Sequence, residues 1–296
     1  MIRFISFKKI YFVISALVIV PGIVSLFLWK LNLSVDFTGG AIWETGVSAP
    51  DARKLEGFLG KKQVEEVVSV QSTGDKSYLI KFKPITEERK NVISDVLAKK
   101  YGEVKETRFE TVGPILGGEL IFKTIIGVVL AALFILAYVA YQFKNKMYGI
   151  SAILAMFHDS LVILGLFSIF GHFFKVEIDT LFVTAVLTIL SFSVHDTVVV
   201  FDRIRELSRI YPKISFPELV DKAINETIVR SLNNSLTIIF MLLTLLLLGG
   251  VTTKWFVIAL LIGTISGTYS STFVAAPLLV VWKELMEKRK KWTKNG

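Results

Sequence analysis

The sequence predicts a polytopic α-helical membrane protein with six transmembrane helices and a small extracytoplasmic α+β domain inserted after the first helix. Of its 296 residues 53% are hydrophobic, and the mean hydropathy is +0.60. That is more apolar than a soluble protein of this length can cover with polar surface. Charged residues still make up 20%, so one segment of domain size is expected to stand in water.

Six apolar runs are long enough to cross about 30 Å of hydrocarbon at about 1.5 Å per residue. The first, "IYFVISALVIVPGIVSLFLW", has no small-residue cleavage site after it, so we interpret it as an anchored helix and not a signal peptide. The predicted spans are residues 10 to 29, 120 to 142, 149 to 171, 178 to 201, 229 to 250 and 256 to 281. In the last span Gly263, Gly267, Ser271 and Ala275 form a small-residue stripe that we interpret as a packing surface.

Lysine and arginine indicate the orientation. They cluster at residues 3–9, 144–146, 203–222 and 288–294, on alternate sides of successive spans, whereas the opposite loops "GHFFKVEID" and "GGVTTK" carry one lysine each. The positive-inside rule therefore places both termini in the cytoplasm. The net charge of +9 is mostly a topology signal, so the expected surrounding is the lipid bilayer and no nucleic-acid partner is predicted.

The predicted division of the chain has four parts. Residues 1–30 form the cytoplasmic N-terminus and first helix, 31–119 the insert, 120–282 helices two to six, and 283–296 a basic cytoplasmic tail. Within the insert, strand and helix patterns follow the order β-α-β-β-α-β, with "TGD" as the turn between the middle strands and Thr86 as the N-cap of the second helix. This is the order of a ferredoxin-like split βαβ domain.

Glycine-rich joints bound the insert, at "DFTGG" with Gly39 and Gly40 and at "GPILGGE" with Gly113, Gly117 and Gly118. Glycine permits backbone angles that other residues avoid, so the joints are either hinges or simple turns next to membrane helices. The chain has no cysteine, and the insert has no histidine and no nucleophile and base pair. Neither hydrolytic chemistry nor a cysteine metal site is predicted, and the protein is not expected to be an enzyme.

Two His-Asp pairs lie inside apolar spans. His158 and Asp159 fall in the third span, and His195 and Asp196 fall at a similar depth in the fourth. Ionisable groups inside a membrane are costly and are functional candidates by default. They can take up and release protons, or they can form a hydrogen-bonded network that only fixes helix packing. No ligand spacing supports a metal site.

A counter-charge is available at the start of the fifth span. Arg230 lies there in "NETIVRSLNNSLT", and Asn233 and Asn234 follow three and four residues later, on the same helical face. The sequence thus offers Asp196, Arg230, His195, His158, Asp159 and Asn234 as a candidate proton relay.

The motifs "VDFTGG", "FHDSLVILGLFS", "SFSVHDTVVVFDRIRE" and "INETIVRSLNNSLT" closely resemble the SecD/SecF family of bacterial protein-export membrane proteins, in the resistance-nodulation-division superfamily. The resemblance covers nearly the whole chain. It implies a periplasmic insert, the inner membrane, and a complex with SecD, the SecYEG channel, the SecA motor and the exported preprotein. It also implies use of a proton or sodium gradient, without a cofactor, to promote late steps of translocation.

By this resemblance the family's fourth-span aspartate corresponds to Asp196 and its fifth-span arginine to Arg230, while its third-span pair corresponds to His158 and Asp159. Two positions depart from the pattern: His195 replaces an asparagine, and Asn234 replaces a hydroxyl-bearing residue. An amide does not relay protons as a hydroxyl does, which puts the role of Asn234 in doubt.

We hypothesise from the sequence that Asp196, aided by His195 and paired alternately with Arg230, binds a proton outside and releases it inside. Two alternatives remain. One is a small-molecule efflux subunit of the same superfamily, against which stand the single small insert and half the usual number of spans. The other is a passive scaffold for the Sec channel, which would not need an ionisable Asp196.

Overall fold

A computed structural model describes residues 2–295 except 63, 65, 75 and 144, and for 114 and 289–295 it describes the backbone alone. Asp75 of the predicted "TGD" turn and Lys144 of the orientation signal lie outside the described residues. The helices are α1 (Lys8–Trp29), α2 (Val35–Thr38), α3 (Ala52–Lys61), α4 (Glu87–Tyr101), α5 (Pro114–Gln142), α6 (Lys146–Phe174), α7 (Thr180–Ile210), α8 (Phe216–Leu248), α9 (Lys254–Ser270) and α10 (Ala276–Asn295). The strands are β1 (Gly40–Gly46), β2 (Val67–Gly74), β3 (Ser77–Phe82) and β4 (Lys105–Val112).

Six helical segments of the described chain are long and apolar enough to cross a membrane, at the six predicted places. They are Phe4–Trp29, Ile115–Gln142, Lys146–Phe174, Thr180–Ile210, Phe216–Leu248 and Val251–Lys288. The helices extend past the predicted apolar runs. In α8 the residues after Ser215 and the fifth span form one continuous helix of 33 residues. This is possible because no glycine or proline interrupts the helix after Pro217.

The sixth span is one continuous helical segment with an irregularity near its middle. A π-helical turn, Ser271–Ala275, joins α9 to α10. Such a turn inserts an extra residue into the helix and changes the direction of the side chains around it. The predicted packing residues Gly263 and Gly267 approach α7 closely, since a Cβ at Gly263 would lie 2.2 Å from the side chain of Ile189.

The insert has the predicted element order β1-α3-β2-β3-α4-β4. Its four strands form one antiparallel sheet in the order β2-β3-β1-β4. Alternate residues of β1 and β3, including Trp43 and Ile80, are buried against Leu55 of α3 and Leu97 of α4, as a half-buried antiparallel sheet requires. The side chain of Thr86 caps α4 by accepting from Arg89 N at 3.3 Å, as predicted.

The insert contacts the membrane-spanning part through the loop between α6 and α7. Ser34 N donates to Ile178 O at 2.9 Å, and Ile178 N donates to Asn32 O at 2.7 Å. Lys81 of β3 forms an ion pair with Glu177 at 2.6 Å. Asp36 accepts from Thr180, and burial together with the neighbouring Asp36 raises the pKa of Asp179, the N-cap of α7. These contacts join the base of the sheet to the beginning of α7.

The glycines of the two joints differ in what they require. Gly39 has φ +76°, and Gly40, at φ +157°, would place a Cβ 2.5 Å from the carbonyl oxygen of Phe82. Gly117 packs against the backbone of α2, where a Cβ would lie 2.8 Å from Phe37 O. Nothing lies within 4 Å of a Cβ built at Gly113 or Gly118. The first three glycines are therefore needed for this conformation itself, and the last two are not.

Candidate functional site

The first of two buried carboxylates is Asp159 of α6, which is 1% exposed. Three serine hydroxyls donate to it: Ser193 of α7 at 2.5 Å, and Ser266 and Ser270 of α9 at 2.6 Å each. Ser266 and Ser270 are four residues apart, so both face α6 from the same side of α9. Hydrogen bonds of this kind satisfy a carboxylate that water cannot reach.

His158 completes the surroundings of Asp159. Its Nδ1 lies 3.1 Å from Asp159 Oδ1, and its Nε2 lies 3.0 Å from Ser15 Oγ of α1. Both ring nitrogens therefore have a partner, and an imidazolium could donate to both. Tyr269 of α9 lies beside the imidazole, with ring centroids 6.2 Å apart. The structure thus brings together the third-span His-Asp pair of the predicted relay.

The second buried carboxylate is Asp196 of α7, which is 4% exposed. Ser231 of α8 donates to it, with both carboxylate oxygens 2.7 Å from its Oγ, and Ser271 of the π-helical turn donates at 2.5 Å. Ser235, one turn after Ser231, continues the polar contacts by sharing a 2.6 Å hydrogen bond with Thr268 of α9. Among the described residues no cationic side chain forms an ion pair with Asp196.

Among the described residues, three members of the predicted relay form no hydrogen bond or ion pair with Asp196. His195 is exposed on the other side of α7, where it lines a groove of about 300 Å³ with Phe134 and Tyr138 of α5. Arg230 and Asn234 are exposed on the outer face of α8, and within the described part of the chain Arg230 has no ion pair or hydrogen bond. The predicted pairing of Asp196 with Arg230 is thus not present in this conformation.

The serines that donate to the two carboxylates could not be predicted from the sequence. Ser271 lies in the small-residue stripe that predicts packing, and no motif marks Ser193, Ser231, Ser266 or Ser270. Serine is frequent and its spacing within one helix says nothing about the carboxylate of another helix. The available signal was that small polar residues recur at i+4 in apolar spans, at Ser231 and Ser235 and at Ser266 and Ser270.

No group of three or more histidine, cysteine, aspartate or glutamate side chains that could hold a metal ion occurs among the described residues. Each buried carboxylate has hydroxyl neighbours instead. Carboxylate and hydroxyl oxygens suit a proton or a hard cation better than a transition metal. What the arrangement can do chemically is bind and release a small cation at a site that excludes bulk water.

The chain is similar to known proteins over nearly its whole length. Residues 92–285 match the family described as "Protein export membrane protein SecD/SecF, C-terminal". The "Protein translocase subunit SecF" of Thermobaculum terrenum is 41% identical, over 96% of this chain and 94% of that protein. The subunit of the same description from Anaerolinea thermophila is 36% identical, over 100% of this chain and 98% of that protein.

Two solved structures of SecDF are also similar. The crystal structure of SecDF from Thermus thermophilus superposes with a TM-score of 0.86 at 31% identity, covering 96% of this chain and 39% of that one. SecDF in its "super-membrane-facing form" gives a TM-score of 0.74 at 30% identity, covering 99% and 40%. The chain therefore spans about two fifths of the length of these SecDF chains.

Proposed function

Because the chain belongs to the SecD/SecF family of protein export membrane proteins and so has a role in Sec protein export, we propose that it works with SecD to promote late steps of polypeptide translocation. In this proposal a proton or sodium gradient across the bacterial inner membrane supplies the energy. The protein is an accessory transport subunit and not an enzyme, and it needs no cofactor besides the coupling ion. SecYEG, SecA and the exported preprotein are the further proposed partners.

The observation that carries the proposal is the environment of Asp196. Among the described residues this carboxylate is 4% exposed and has two hydroxyl donors but no cationic partner. Such a group is costly to keep ionised in a low-dielectric surrounding. Proton binding removes that charge, and the two serines remain as hydrogen-bond partners. The cost of the ionised form gives proton binding a free-energy difference that can shift the packing of α7, α8 and α9.

The outer face of α8 supports the proposed partnership with SecD. Arg230, Asn233 and Asn234 are exposed on a helix whose neighbouring exposed residues are apolar, such as Val229 and Leu236. A charged side chain facing hydrocarbon is costly, so a protein partner is expected there. In SecDF of Thermus thermophilus and of Bacillus subtilis the matching region is part of a longer chain, which is consistent with SecD covering this face.

The same proposal includes the orientation of the chain in the membrane and the location of the insert. Both termini lie in the cytoplasm, and the insert stands in the periplasm as a ferredoxin-like domain, supported by its element order and strand order. When α7 shifts, its N-terminal loop carries the shift to the sheet through Lys81 and Glu177. The insert then moves while it holds or releases exported polypeptide.

The test is export into inverted vesicles that contain the complex with SecD, SecYEG and saturating SecA and ATP, with and without an imposed proton or sodium gradient. We expect Asp196→Asn to abolish the gradient-dependent part of export while copurification with SecD is unchanged. Asp202→Asn, in the same helix but in an ion pair with Arg205, is the matched control and should export normally. Normal gradient-dependent export by Asp196→Asn would favour the passive scaffold instead.

A further inference from the structure

The two buried carboxylates belong to separate hydrogen-bonded clusters that meet at one peptide bond. The serines that donate to Asp159 and those that donate to Asp196 form two sets without a common member. Ser270 belongs to the first set and Ser271 to the second. These two serines are consecutive in the chain, and both are 0% exposed. Any change in the backbone at this point affects both carboxylates.

Helix geometry explains how neighbouring residues reach different helices. Successive side chains on a helix point about 100° apart, so Ser270 faces α6 while Ser271 faces α7 and α8. The peptide bond between Ser270 and Ser271 lies at the beginning of the π-helical turn Ser271–Ala275. Turns of this kind are often found at functional sites, where they change the direction of one side chain relative to the rest of the helix.

Each of the two hydroxyls has a second acceptor within its own helix. Ser270 Oγ lies 3.3 Å from Gly267 O, and Ser271 Oγ lies 3.1 Å from Thr268 O. A serine hydroxyl has a single hydrogen, so it donates well to the carboxylate or to the carbonyl, not to both. A serine that donates to a carbonyl of its own helix bends that helix.

We propose that Ser270 and Ser271 couple the two carboxylates, so that proton binding at Asp196 depends on the state of Asp159. This deepens the proposed function and rests on it. When a proton from the aqueous phase binds to Asp196, the new carboxyl O–H donates to Ser271 Oγ. The hydroxyl of Ser271 then turns to Thr268 O. The π-helical turn adjusts, and with it the position of Ser270 against Asp159.

The two carboxylates differ in the side chains that face them. Among the described residues Asp159 faces His158 on its own helix, with Tyr269 beside the imidazole, and hydroxyl groups from α7 and α9. In the same part of the chain Asp196 faces hydroxyl groups from α8 and the π-helical turn, and His195 next to it in sequence is exposed. An imidazole thus lies beside Asp159 and not beside Asp196 in the described structure, so exchange of the coupling proton is assigned to Asp196.

The test uses infrared difference spectra of the full chain with SecD, recorded against pH, in which a protonated carboxylic acid has its own carbonyl band. Asp196→Asn identifies the band of Asp196. We expect Ser271→Ala to move the midpoint of that band to higher pH by about one pH unit, because a donor to the ionised form is lost. Ser271→Thr, which keeps the hydroxyl, should restore the midpoint.

The decisive variants are Ser270→Ala and Asp159→Asn, which change only the other cluster. Asp159→Asn removes the negative charge at Asp159, and Ser270→Ala removes a donor to the ionised form and so favours the protonated, uncharged form of Asp159. Both should move the Asp196 midpoint to lower pH, because a charge at Asp196 is less costly when Asp159 is uncharged. Ser168→Ala is the matched control, since Ser168 is equally buried but bonds to Ser25 and to the carbonyl oxygen of Lys30. It should leave the midpoint unchanged.

The outcomes separate this inference from the proposed function. An Asp196 midpoint that is the same in wild type, Ser270→Ala and Asp159→Asn would overturn the coupling, even if Asp196 drives export. Absence of any Asp196 band in the wild type, together with normal export by Asp196→Asn, would overturn the proposed function itself. If Ser270→Ala does not fold, Asp159→Asn is measured with and without Ser271→Ala. A shift of the Asp196 midpoint by Asp159→Asn that is just as large when Ser271 is alanine would overturn the coupling through the serines, and loss of that shift would support it.

Discussion

Lys81 and Glu177 form an ion pair that joins the sheet of the insert to the loop between the third and fourth spans, with Nζ and Oε2 2.6 Å apart. The two side chains are only 11% and 13% exposed, so solvent screens the pair less than it screens a surface ion pair. The loop leads directly into α7, which carries Asp196. This contact therefore connects the sheet of the insert to the helix that carries the candidate ion site.

Removing the ion pair between Lys81 and Glu177 should loosen the loop between α6 and α7. Lys81→Met should leave the Glu177 carboxylate without its partner and loosen the loop, with about tenfold faster hydrogen exchange at residues 33–36 and 176–180. The charge-swapped pair Lys81→Glu with Glu177→Lys should recover most of the protection. Arg108→Met, which breaks an exposed ion pair of the same sheet, is the control. Unchanged exchange in Lys81→Met would show that the backbone contacts alone hold the loop.

The close approach of Gly22 of α1 and Gly165 of α6 predicts a loss of stability when Gly165 is replaced by a larger residue. A Cβ at Gly165 would lie 2.5 Å from the Cα of Gly22, so the two backbones touch. Gly165→Ala should lower stability by about 1–3 kcal/mol through overpacking, measured as a lower Tm of the detergent-solubilised protein. Gly127→Ala in α5 has nothing within 4 Å of the new methyl group and should not lower the Tm. Equal Tm values for the two variants would contradict the close approach of α1 and α6.

The glycines of the two joints should respond differently to substitution by alanine. Gly40→Ala should lower the Tm, because its backbone angle and the carbonyl of Phe82 both exclude a side chain. Gly113 has φ −64° and open space around it, so this conformation does not require glycine there. If the joint is a hinge, glycine is needed in a second conformation. We therefore expect Gly113→Ala to keep the wild-type Tm and to reduce gradient-dependent export.

Export by Gly113→Ala at the wild-type level would reduce that joint to a turn. Gly118→Ala is the companion variant, because it too meets nothing within 4 Å but lies inside α5, where alanine favours the helix. Loss of export in both variants without loss of stability would locate the hinge at the start of α5.

Glu66 and Arg89 predict a pH dependence within the insert. Arg89 donates from Nε to Glu66 Oε1 at 2.9 Å and from Nη2 to Oε2 at 3.2 Å, and this lowers the pKa of Glu66. An acid whose pKa is lower in the folded state stabilises the fold above its unfolded pKa, and that contribution disappears as the pH falls through the lowered value. Glu66→Gln should therefore lower the Tm modestly at pH near 7.

The difference between wild type and Glu66→Gln should shrink as the pH falls from about 5 to below 4, the range in which glutamate titrates. Thermal unfolding of the full chain at several pH values measures it. Glu88→Gln, at an exposed position of the helix that carries Arg89, controls for the loss of a negative charge. A Tm difference that is constant over this range would mean that Arg89 does not hold the carboxylate in its ionised form.

The six spans, the element order of the insert and the two His-Asp positions within apolar spans could be predicted from the amino-acid sequence. These are local properties: hydropathy and period depend on neighbouring residues, and a charged side chain in an apolar run is visible without knowing its surroundings. Thr86 likewise marks the beginning of α4 in the sequence and in the structure.

The groups that meet the two carboxylates could not be predicted in this way, because they come from different helices. Arg230 and Asn234 look like partners of Asp196 in the sequence, but the rotation of α8 places them outside and turns Ser231 inward. A residue's direction on a helix is fixed by how the helix packs against its neighbours, and that packing depends on contacts distant in sequence. For the same reason the division of Ser270 and Ser271 between Asp159 and Asp196 appears only once α6, α7 and α9 are assembled.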